Sequence, residues 1–324
     1  MLRRLEAFWW SMRVSTESYA GNEAVVLTGE DMTAVILPGL GAKIISLLSH
    51  RTGREFIWCD PHRELRSISP GSAYVDNDVS GIDDCFPTID SCLYPVEPFR
   101  DLPLGDHGDL WSRQWGWNLQ DDGPLFTVTG ATLPFEFEKL ITIQSNPSRL
   151  VVRNTMRAVG HQWFVYQWAG HPLFRAEREM RITGLEGCTG STGFATGGRL
   201  VVDGSRWSWP AAPSADGVTC DVSVVPPPED KVNEKYWLSA AQTCGLSFID
   251  PEERLHLHVD PLLLPWLGVC VNYQGWPRAD PGYWVALEPS TSPHDSLTDT
   301  WAAGLARKIG PGETHRWWWA LSWS

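Results

Sequence analysis

Short runs in which apolar and polar residues alternate recur along the whole chain, and each run is bounded by Gly, Pro, Asn or Ser. Alternation with a period of two is typical of a β-strand that buries one face. Four such runs lie in residues 125–168, and eight more lie in residues 199–322. Helical periodicity is scarce, and residues 296–308 are the best short candidate for a helix. The pattern therefore predicts an all-β sandwich or barrel.

The amino-terminal part has the pattern of an antiparallel meander. Two strands are predicted in residues 24–37, and two more in residues 42–48 and 55–58, with turns between them. Gly39-Leu40-Gly41 lies in one of these turns, but it does not complete a dinucleotide-binding fingerprint. Ile44 takes the place of the third glycine, and β-branched residues follow where that motif requires a helix.

The length of the chain allows one large β domain or two average ones, since it has 324 residues. The sequence contains no repeat of fixed period, no low-complexity tract and no flexible linker. We therefore predict a single large β-sandwich domain over residues 1–324, in which residues 1–23 form an N-terminal extension.

Charge and cysteine content limit the classes of partner and the cellular compartment that we expect. The net charge is −13, whereas a protein that binds nucleic acid or an anionic membrane needs a basic face. No run reaches the roughly 18 apolar residues of a membrane span. Seven scattered cysteines without a C-x-x-C motif favour reduced thiols in a cytoplasmic protein. We expect neither nucleic acid nor membrane as a partner, and a homodimer is compatible with these features.

One stretch combines polar and aromatic residues in an unusual way. Residues 104–115 read L-G-D-H-G-D-L-W-S-R-Q-W and lie within a loop-rich region, residues 61–117. Gly105 and Gly108 give the backbone around His107 access to conformations that other residues avoid. Such a loop can present an imidazole to a cleft walled by indole rings, as in sugar sites, where rings stack on the sugar and polar groups bind hydroxyls. A tight turn with a hydrogen-bonded histidine and core tryptophans fits the same residues equally well.

Two further residues are candidates for acid–base chemistry. His171 follows a predicted strand and stands between Gly170 and Pro172, which predicts a bend that holds the imidazole in place. Glu288 ends an apolar strand directly before Pro289, so its carboxylate should point out of the end of the sheet. The alternatives are a histidine that caps a strand end and a carboxylate in solvent at a sheet edge.

Two other segments offer ligand-binding groups. Asn272 and Gln274 lie at the end of a predicted strand, and their amides suit vicinal hydroxyls, although turns use the same residue types. His256, His258 and Asp260 lie on one face of a strand and could bind zinc. The alternation with apolar residues is what any half-exposed strand shows, and no fourth ligand is evident. We therefore expect no metal and no other cofactor.

Together these stretches resemble the aldose 1-epimerase (galactose mutarotase-like) superfamily. The residues 106–115 are similar to the D-H-G-x-L-W-S-x-x-W element of one of its branches. Four more segments match in the same order, so the resemblance extends over residues 24–322: they are 81–87, 169–174, 264–277 and 286–295. The resemblance implies a large antiparallel β-supersandwich, in agreement with the strand pattern.

The resemblance also implies roles for single residues. Glu288 is similar to the catalytic base of the family, His171 to its acid, and His107 to the histidine that binds the sugar and assists at the ring oxygen. The sequence departs from galactose mutarotases at Cys85-Phe86, where those proteins have Asn-Arg, and near residues 234–235, where they have a sugar-binding aspartate. The expected substrate contacts are Asp84, Asp106, Trp111, Arg113, Asn272 and Gln274.

The predicted function is that of an aldose 1-epimerase, a mutarotase that interconverts the anomers of a hexose or modified hexose by acid–base ring opening. The predicted partner is a small-molecule sugar. A hexose 6-phosphate is less expected because the motifs contain no arginine cluster, and Arg113 is the one candidate for an anionic group. A carbohydrate-binding protein of the same fold, or a sugar isomerase or lyase that uses the same cleft, are the alternatives.

Overall fold

The computed structural model describes residues 12–145, 147–196, 199–239, 241–249, 251–277 and 281–324. Nearly all of its regular structure is β. The strands, in chain order, are β1 (Arg13–Tyr19), β2 (Asn22–Thr28), β3 (Met32–Leu37), β4 (Lys43–Ser49), β5 (Ile82–Cys85), β6 (Cys92–Leu93), β7 (Pro103–Leu104), β8 (Gly116–Gln120), β9 (Gly123–Thr129), β10 (Phe135–Gln144), β11 (Arg149–Ala158), β12 (Phe164–Tyr166), β13 (Ala169–Arg175), β14 (Arg181–Thr183), β15 (Thr189–Thr196), β16 (Arg206–Ser208), β17 (Ala211–Pro213), β18 (Thr219–Asp221), β19 (Val232–Ser239), β20 (Thr243–Phe248), β21 (Glu253–Val259), β22 (Trp266–Tyr273), β23 (Tyr283–Ser290), β24 (Arg307–Ile309) and β25 (Thr314–Trp323).

Among the residues that the structure describes, helical structure is limited to short elements. They are two 3₁₀ turns, Tyr74–Asp76 and Pro228–Asp230, and the α-helix α1, Leu297–Ala302. Ser296 caps α1, since its side chain accepts a hydrogen bond from the backbone N–H of Asp299. No helix within the described ranges is long and apolar enough to cross a membrane.

Two large sheets form the body of the molecule. The first has eleven strands in the order β1-β2-β3-β4-β5-β13-β23-β22-β19-β15-β16, and the second has eight in the order β14-β20-β21-β25-β11-β10-β9-β8. Neighbouring strands pair antiparallel. This confirms the predicted all-β architecture, a large antiparallel β-supersandwich.

The core lies between the two sheets, and strand β10 shows why. Phe135 and Phe137 are buried and alternate with the exposed Glu136 and Glu138, and Ile141 is buried further along the same face. Such alternation sends every second side chain to the same face of a strand. Phe86, which follows β5 of the first sheet, packs with its ring centroid 4.6 Å from that of Phe135 and 6.1 Å from that of Phe137. The apolar faces of the two sheets therefore interlock.

The structure corrects three local predictions. Residues 13–23, assigned above to an N-terminal extension, form β1 and the start of β2, while residues 1–11 lie outside the described residues. The helix predicted over residues 296–308 covers only 297–302. His171, expected after the end of a strand, lies inside β13, where Gly170-His171-Pro172 pair with β5 while the pairing with β23 is at Ala169 and at Leu173–Arg175.

The two faces of the first sheet differ in chemistry along its central strands β5, β13, β23, β22 and β19. Because side chains alternate between faces, one set points at the second sheet and the other points away from it. The set that points toward the core comprises Asp84, Phe174, Leu287, Val271 and Tyr236, and the set on the outer face comprises Asp83, His171, Glu288, Cys270 and Lys235.

Candidate active site

A cleft of about 360 Å³ opens on the outer face of the first sheet. A volume of this order suits a small ligand. Strands β13, β23, β22 and β19 form its floor, and loops before β8 and after β22 and β23 form its walls. The residues that line it are Tyr74, Val75, Ile89, Asp90, Asp106, His107, His171, Phe194, Asn233, Lys235, Cys270, Trp276, Trp284, Glu288 and Asp295.

Glu288 and His171 lie together on the floor. Oε1 of Glu288 is 3.9 Å from Nε2 of His171, and both side chains are buried. Glu288 lies directly opposite Gly268 in the register of β22 and β23. A Cβ atom at position 268 would be 3.0 Å from both Oε2 of Glu288 and the ring of Trp237. Glycine at this position therefore leaves the space that the carboxylate occupies.

Lys235 is the third charged group of the floor, and it was not among the predicted site residues. Its Nζ lies 2.8 Å from Oε2 of Glu288 and 2.6 Å from Oδ1 of Asp295, and 4.7 Å from the centroid of the Trp237 ring. A signal was present, because Lys235 belongs to the polar run Asn233-Glu234-Lys235 inside an otherwise apolar strand. Asp295, which lies in the last matched segment, was not selected either.

His107 reaches the cleft from the loop between β7 and β8. Gly108, the next residue, has φ +69°, and a Cβ atom there would lie 2.0 Å from the carbonyl oxygen of Phe86. Only glycine permits this close approach of the two backbones. Nδ1 of His107 is 2.7 Å from Oδ1 of Asp106, and the second oxygen of Asp106 accepts a hydrogen bond of 2.7 Å from the backbone N–H of Tyr74.

Aromatic packing fixes the two imidazoles relative to each other. His107 stacks on Tyr74 with 4.1 Å between centroids and 9° between planes. His171 stands edge-on to both rings, at 4.8 Å from His107 and 5.2 Å from Tyr74. Within the described residues, Nε2 of His107, Nδ1 of His171 and Oε1 of Glu288 are buried and make no hydrogen bond. The hydrogen-bonding capacity of these atoms is therefore unused within the described protein.

Burial and charge shift the protonation of these groups in different directions. Burial raises the pKa of Glu288, although the positive charge of Lys235 opposes this. Burial lowers the pKa of His171 well below its usual range, and the charges of His107 and Lys235 add to the effect, so this imidazole is neutral at pH 7. Burial alone would raise the pKa of Asp106, but its hydrogen bond and charge interaction with His107 lower it. Asp106 therefore stays ionised.

The predicted substrate contacts divide into two groups, and only Asp106 lines the cleft. Asp84 faces the core, where it forms an ion pair with Lys139 and accepts a hydrogen bond of 3.0 Å from Nε1 of Trp168. Trp111 is buried behind the His107 loop and donates from Nε1 to the carbonyl of Asp106 at 2.9 Å. Asp84 and Trp111 support the site but do not face a ligand.

Arg113, Asn272 and Gln274 also lie outside the cleft lining. Arg113 borders a separate surface depression together with Glu136 and Glu138. The buried amide of Asn272, near the end of β22, is used by the turn that follows, since Oδ1 accepts from the backbone N–H groups of residues 275 and 276, at 3.0 Å each. Gln274 is exposed. The aromatic walls of the cleft are instead Trp276 and Trp284 from the same region.

The histidines of β21 have other partners. The ring of His256 hydrogen-bonds the hydroxyl of Ser324, and that of His258 hydrogen-bonds the hydroxyls of Thr243 and Ser322. Within the described part of the chain, no group of three or more His, Cys, Asp or Glu side chains is placed to hold a metal ion.

Comparison with known proteins gives a fold rather than a close relative. No protein-family model matches the sequence, and a search of curated protein sequences gives no significant match. Solved structures do match over nearly the whole chain. A galactose mutarotase-like protein from Clostridium acetobutylicum has a TM-score of 0.68 at 11% identity, with 97% of this chain and 98% of that chain covered.

Two Lactobacillus proteins also match over most of the chain. A galactose mutarotase-like protein from Lactobacillus casei ATCC 334 has a TM-score of 0.65 at 15% identity, with 93% of this chain and 100% of that chain covered. A galactose mutarotase related enzyme from Lactobacillus acidophilus has a TM-score of 0.61 at 14% identity, with 93% and 97% covered. The chain therefore has the galactose mutarotase-like fold, and the resemblance seen in the sequence is confirmed at the level of the fold.

Proposed function

We propose that the protein is an aldose 1-epimerase that interconverts the α and β anomers of an uncharged sugar. The observation that carries this proposal is the grouping of Glu288, His171 and His107 in one cleft, with Oε1 of Glu288 3.9 Å from Nε2 of His171 and each group keeping an atom without a hydrogen bond partner among the described residues. Anomer exchange needs a base at the C1 hydroxyl and an acid at the ring oxygen, and it needs no cofactor.

In the proposed reaction, Glu288 takes the proton of the C1 hydroxyl while an imidazole protonates the ring oxygen. The bond between C1 and the ring oxygen breaks, and the open-chain aldehyde forms. Rotation about the C1–C2 bond then exposes the other face of the carbonyl, and closure with the reverse proton transfers inverts the anomer. One positioned acid or base typically contributes about 10² to 10⁴ in rate.

We assign the proton donation to His107 in preference to His171. His107 has a carboxylate partner at Nδ1, at 2.7 Å from Asp106, which stabilises the positive charge of an imidazolium. His171 has a pKa well below its usual range, because burial and neighbouring charges disfavour its protonated form. A neutral His171 still hydrogen-bonds a hydroxyl and orients the sugar above Glu288.

The charges around the cleft favour an uncharged sugar. Its described lining contains the carboxylates of Asp90, Asp106, Glu288 and Asp295, whereas Lys235 is already held by two of them. Phosphate and sulfonate groups need a cation that is free to pair with them. Trp276 and Trp284 offer apolar surface for the C–H face of a sugar ring.

Saturation-transfer NMR of anomer exchange tests the proposal directly. The panel should pair neutral aldoses with their phosphorylated, sulfonated and carboxylated counterparts, and it should include wild type and Glu288→Gln. We expect exchange above the buffer rate for at least one neutral aldose and its loss in the variant. Binding without exchange would instead identify a carbohydrate-binding protein, and exchange confined to anionic sugars would contradict the proposed substrate class.

A further inference from the structure

Lys235 and the two carboxylates beside it form a charged triad on the floor of the cleft. Nζ of Lys235 lies between Oε2 of Glu288, at 2.8 Å, and Oδ1 of Asp295, at 2.6 Å. The side chains of Lys235 and Glu288 are only 5% and 1% exposed, so water screens their interaction weakly. Asp295 is more open, with 24% of its side chain exposed.

The triad matters because a general base must be ionised before it can accept a proton. Glu288 lies in the interior, where an isolated carboxylate takes up a proton instead. Among the described residues, Lys235 is the cation in direct contact with this carboxylate, at 2.8 Å. The other ionisable groups that face Glu288 are neutral, negatively charged or beyond ion-pair distance. These groups are His171 on β13, His107 in the loop before β8, Asp295 in the loop after β23, Cys270 on β22 and Cys85 on β5.

The geometry points to Lys235 as the positioning residue that keeps the Glu288 carboxylate ionised, with Asp295 as an opposing charge that limits this effect. The inference deepens the proposed function, since it supplies the condition under which Glu288 acts as a base. The two neighbours act with opposite sign: the positive charge of Lys235 stabilises the carboxylate, and the negative charge of Asp295 destabilises it.

A purely structural role for Lys235 makes a different prediction. A lysine that only ties β19 to β23 and to the loop at Asp295 would, when removed, lower the stability of the fold. It would leave the pKa of Glu288 unchanged, and removal of either Lys235 or Asp295 would simply lower the stability of the fold. Shifts of the Glu288 pKa in opposite directions, on loss of the charge at 235 and at 295, therefore distinguish an electrostatic role of Lys235 from a purely structural one.

The experiment measures the protonation of Glu288 in the free protein, without any substrate. The probe is ¹³C NMR of protein labelled at the glutamate side-chain carboxyl carbons, titrated with pH, and the Glu288 signal is identified by its absence in Glu288→Gln. Wild type is compared with Lys235→Met, Lys235→Arg and Asp295→Asn, after circular dichroism has confirmed that each variant folds.

Lys235→Met should raise the pKa of Glu288 by about one to three pH units, the usual effect of an adjacent opposite charge. Lys235→Arg should restore most of the wild-type value because it keeps the charge, and Asp295→Asn should lower the value. An unchanged titration in Lys235→Met would overturn the inference. If Lys235→Met does not fold, Asp295→Asn decides alone, since a rise or no change there contradicts the assigned charges.

The same variants separate this inference from the proposed function. For an active enzyme, the acidic limb of the kcat/KM profile should move to higher pH in Lys235→Met and to lower pH in Asp295→Asn, in step with the NMR titration. If no sugar of the panel is turned over but the titration moves as described, the epimerase proposal fails while the role of Lys235 stands. If a sugar is turned over but the titration of Glu288 does not move, the epimerase proposal stands and the role assigned to Lys235 fails.

Discussion

Two buried lysine–carboxylate pairs of this protein look alike but lie in different settings. Lys139 and Asp84 pair between the two sheets, and Lys235 and Glu288 pair on the floor of the cleft. The side chains of the two lysines are 3% and 5% exposed, so burial does not distinguish the pairs. What differs is how far their hydrogen-bonding capacity is used.

In the pair between the sheets, both partners have further contacts. Asp84 accepts from Nε1 of Trp168 at 3.0 Å, and Lys139 donates to the carbonyl of Ala42 at 3.1 Å. In the cleft pair, Oε1 of Glu288 has no hydrogen bond partner among the described residues. A buried charge alone therefore does not indicate a functional group. A buried charge that borders a cavity and has unused hydrogen-bonding capacity does.

The largest expected effect tests the cleft pair. Glu288→Gln keeps the shape of the side chain but removes the base, so kcat/KM for anomer exchange should fall by about 10² to 10⁴. Exchange NMR at saturating and subsaturating sugar measures this, with line broadening as the check that the sugar still binds. A variant that keeps more than a tenth of the wild-type activity would show that Glu288 is not the base.

The same variant should not be less stable. Because burial raises the pKa of Glu288, the folded protein loses stability as the pH rises from the unfolded pKa of glutamate, about 4.3, through the folded value. Glu288→Gln removes that loss, so its Tm at pH 7 should equal or exceed that of wild type. The difference should shrink below about pH 4, where both side chains are neutral, and thermal denaturation across pH measures it.

The second prediction tests the pair between the sheets. Asp84→Asn leaves the charge of Lys139 without its partner in the core, and breaking a buried pair in this way costs about 3 to 5 kcal/mol. Urea denaturation should show this loss of unfolding free energy, while the folded fraction should keep kcat/KM within about threefold of wild type. Loss of activity without loss of stability would instead indicate that Asp84 acts in the active site.

The sequence predicted the sandwich well because its signal is local. Alternation along a strand such as β10 indicates which side chains face the core, and β10 (Phe135–Gln144) lies among the strands predicted over residues 125–168. The fold also brought together the three groups that the resemblance selected, Glu288, His171 and His107. Their order along the chain and their residue types carried enough information for that result.

The substrate contacts were less predictable because a shift of one residue exchanges the two faces of a strand. Asp83 and Asp84 are adjacent on β5, but Asp83 is paired in register with His171 on the cleft side, whereas Asp84 points into the core. The motif contains both residues and does not state which face each one takes. Lys235 was missed for a related reason, since its partner Asp295 is 60 residues away in the chain.

The third prediction concerns Asp106, which holds His107 in place. Asp106→Asn removes the charge and one of the two hydrogen bonds that orient the loop, and a hydrogen bond to a charged group contributes about 1.5 to 3 kcal/mol. We expect kcat/KM to fall by about 10- to 100-fold, with a smaller change in stability.

A matched control lies three residues further along the same loop. Asp109 accepts hydrogen bonds from the backbone N–H groups of Ala131 and Thr132 and from the hydroxyl of Thr132, and it does not line the cleft. Asp109→Asn should therefore lower Tm without changing kcat/KM of the folded enzyme. Equal losses of activity in the two variants would show that the loop tolerates no change, and Asp106 would have no special role.

The smallest effect is expected for Arg113, a residue outside the cleft. Arg113 follows the His107 loop in sequence and was the one candidate for binding an anionic group, but it borders a depression shared with Glu136 and Glu138, outside the cleft lining. Arg113→Ala should change KM for neutral sugars by less than about twofold, because exposed charges that do not contact a ligand contribute little. Anionic sugars should be no worse as substrates for the variant than for wild type. A selective loss of binding for anionic sugars, measured by line broadening across the same panel, would mean that the ligand extends beyond the cleft to Arg113, and the charge argument for an uncharged substrate would then fail with it.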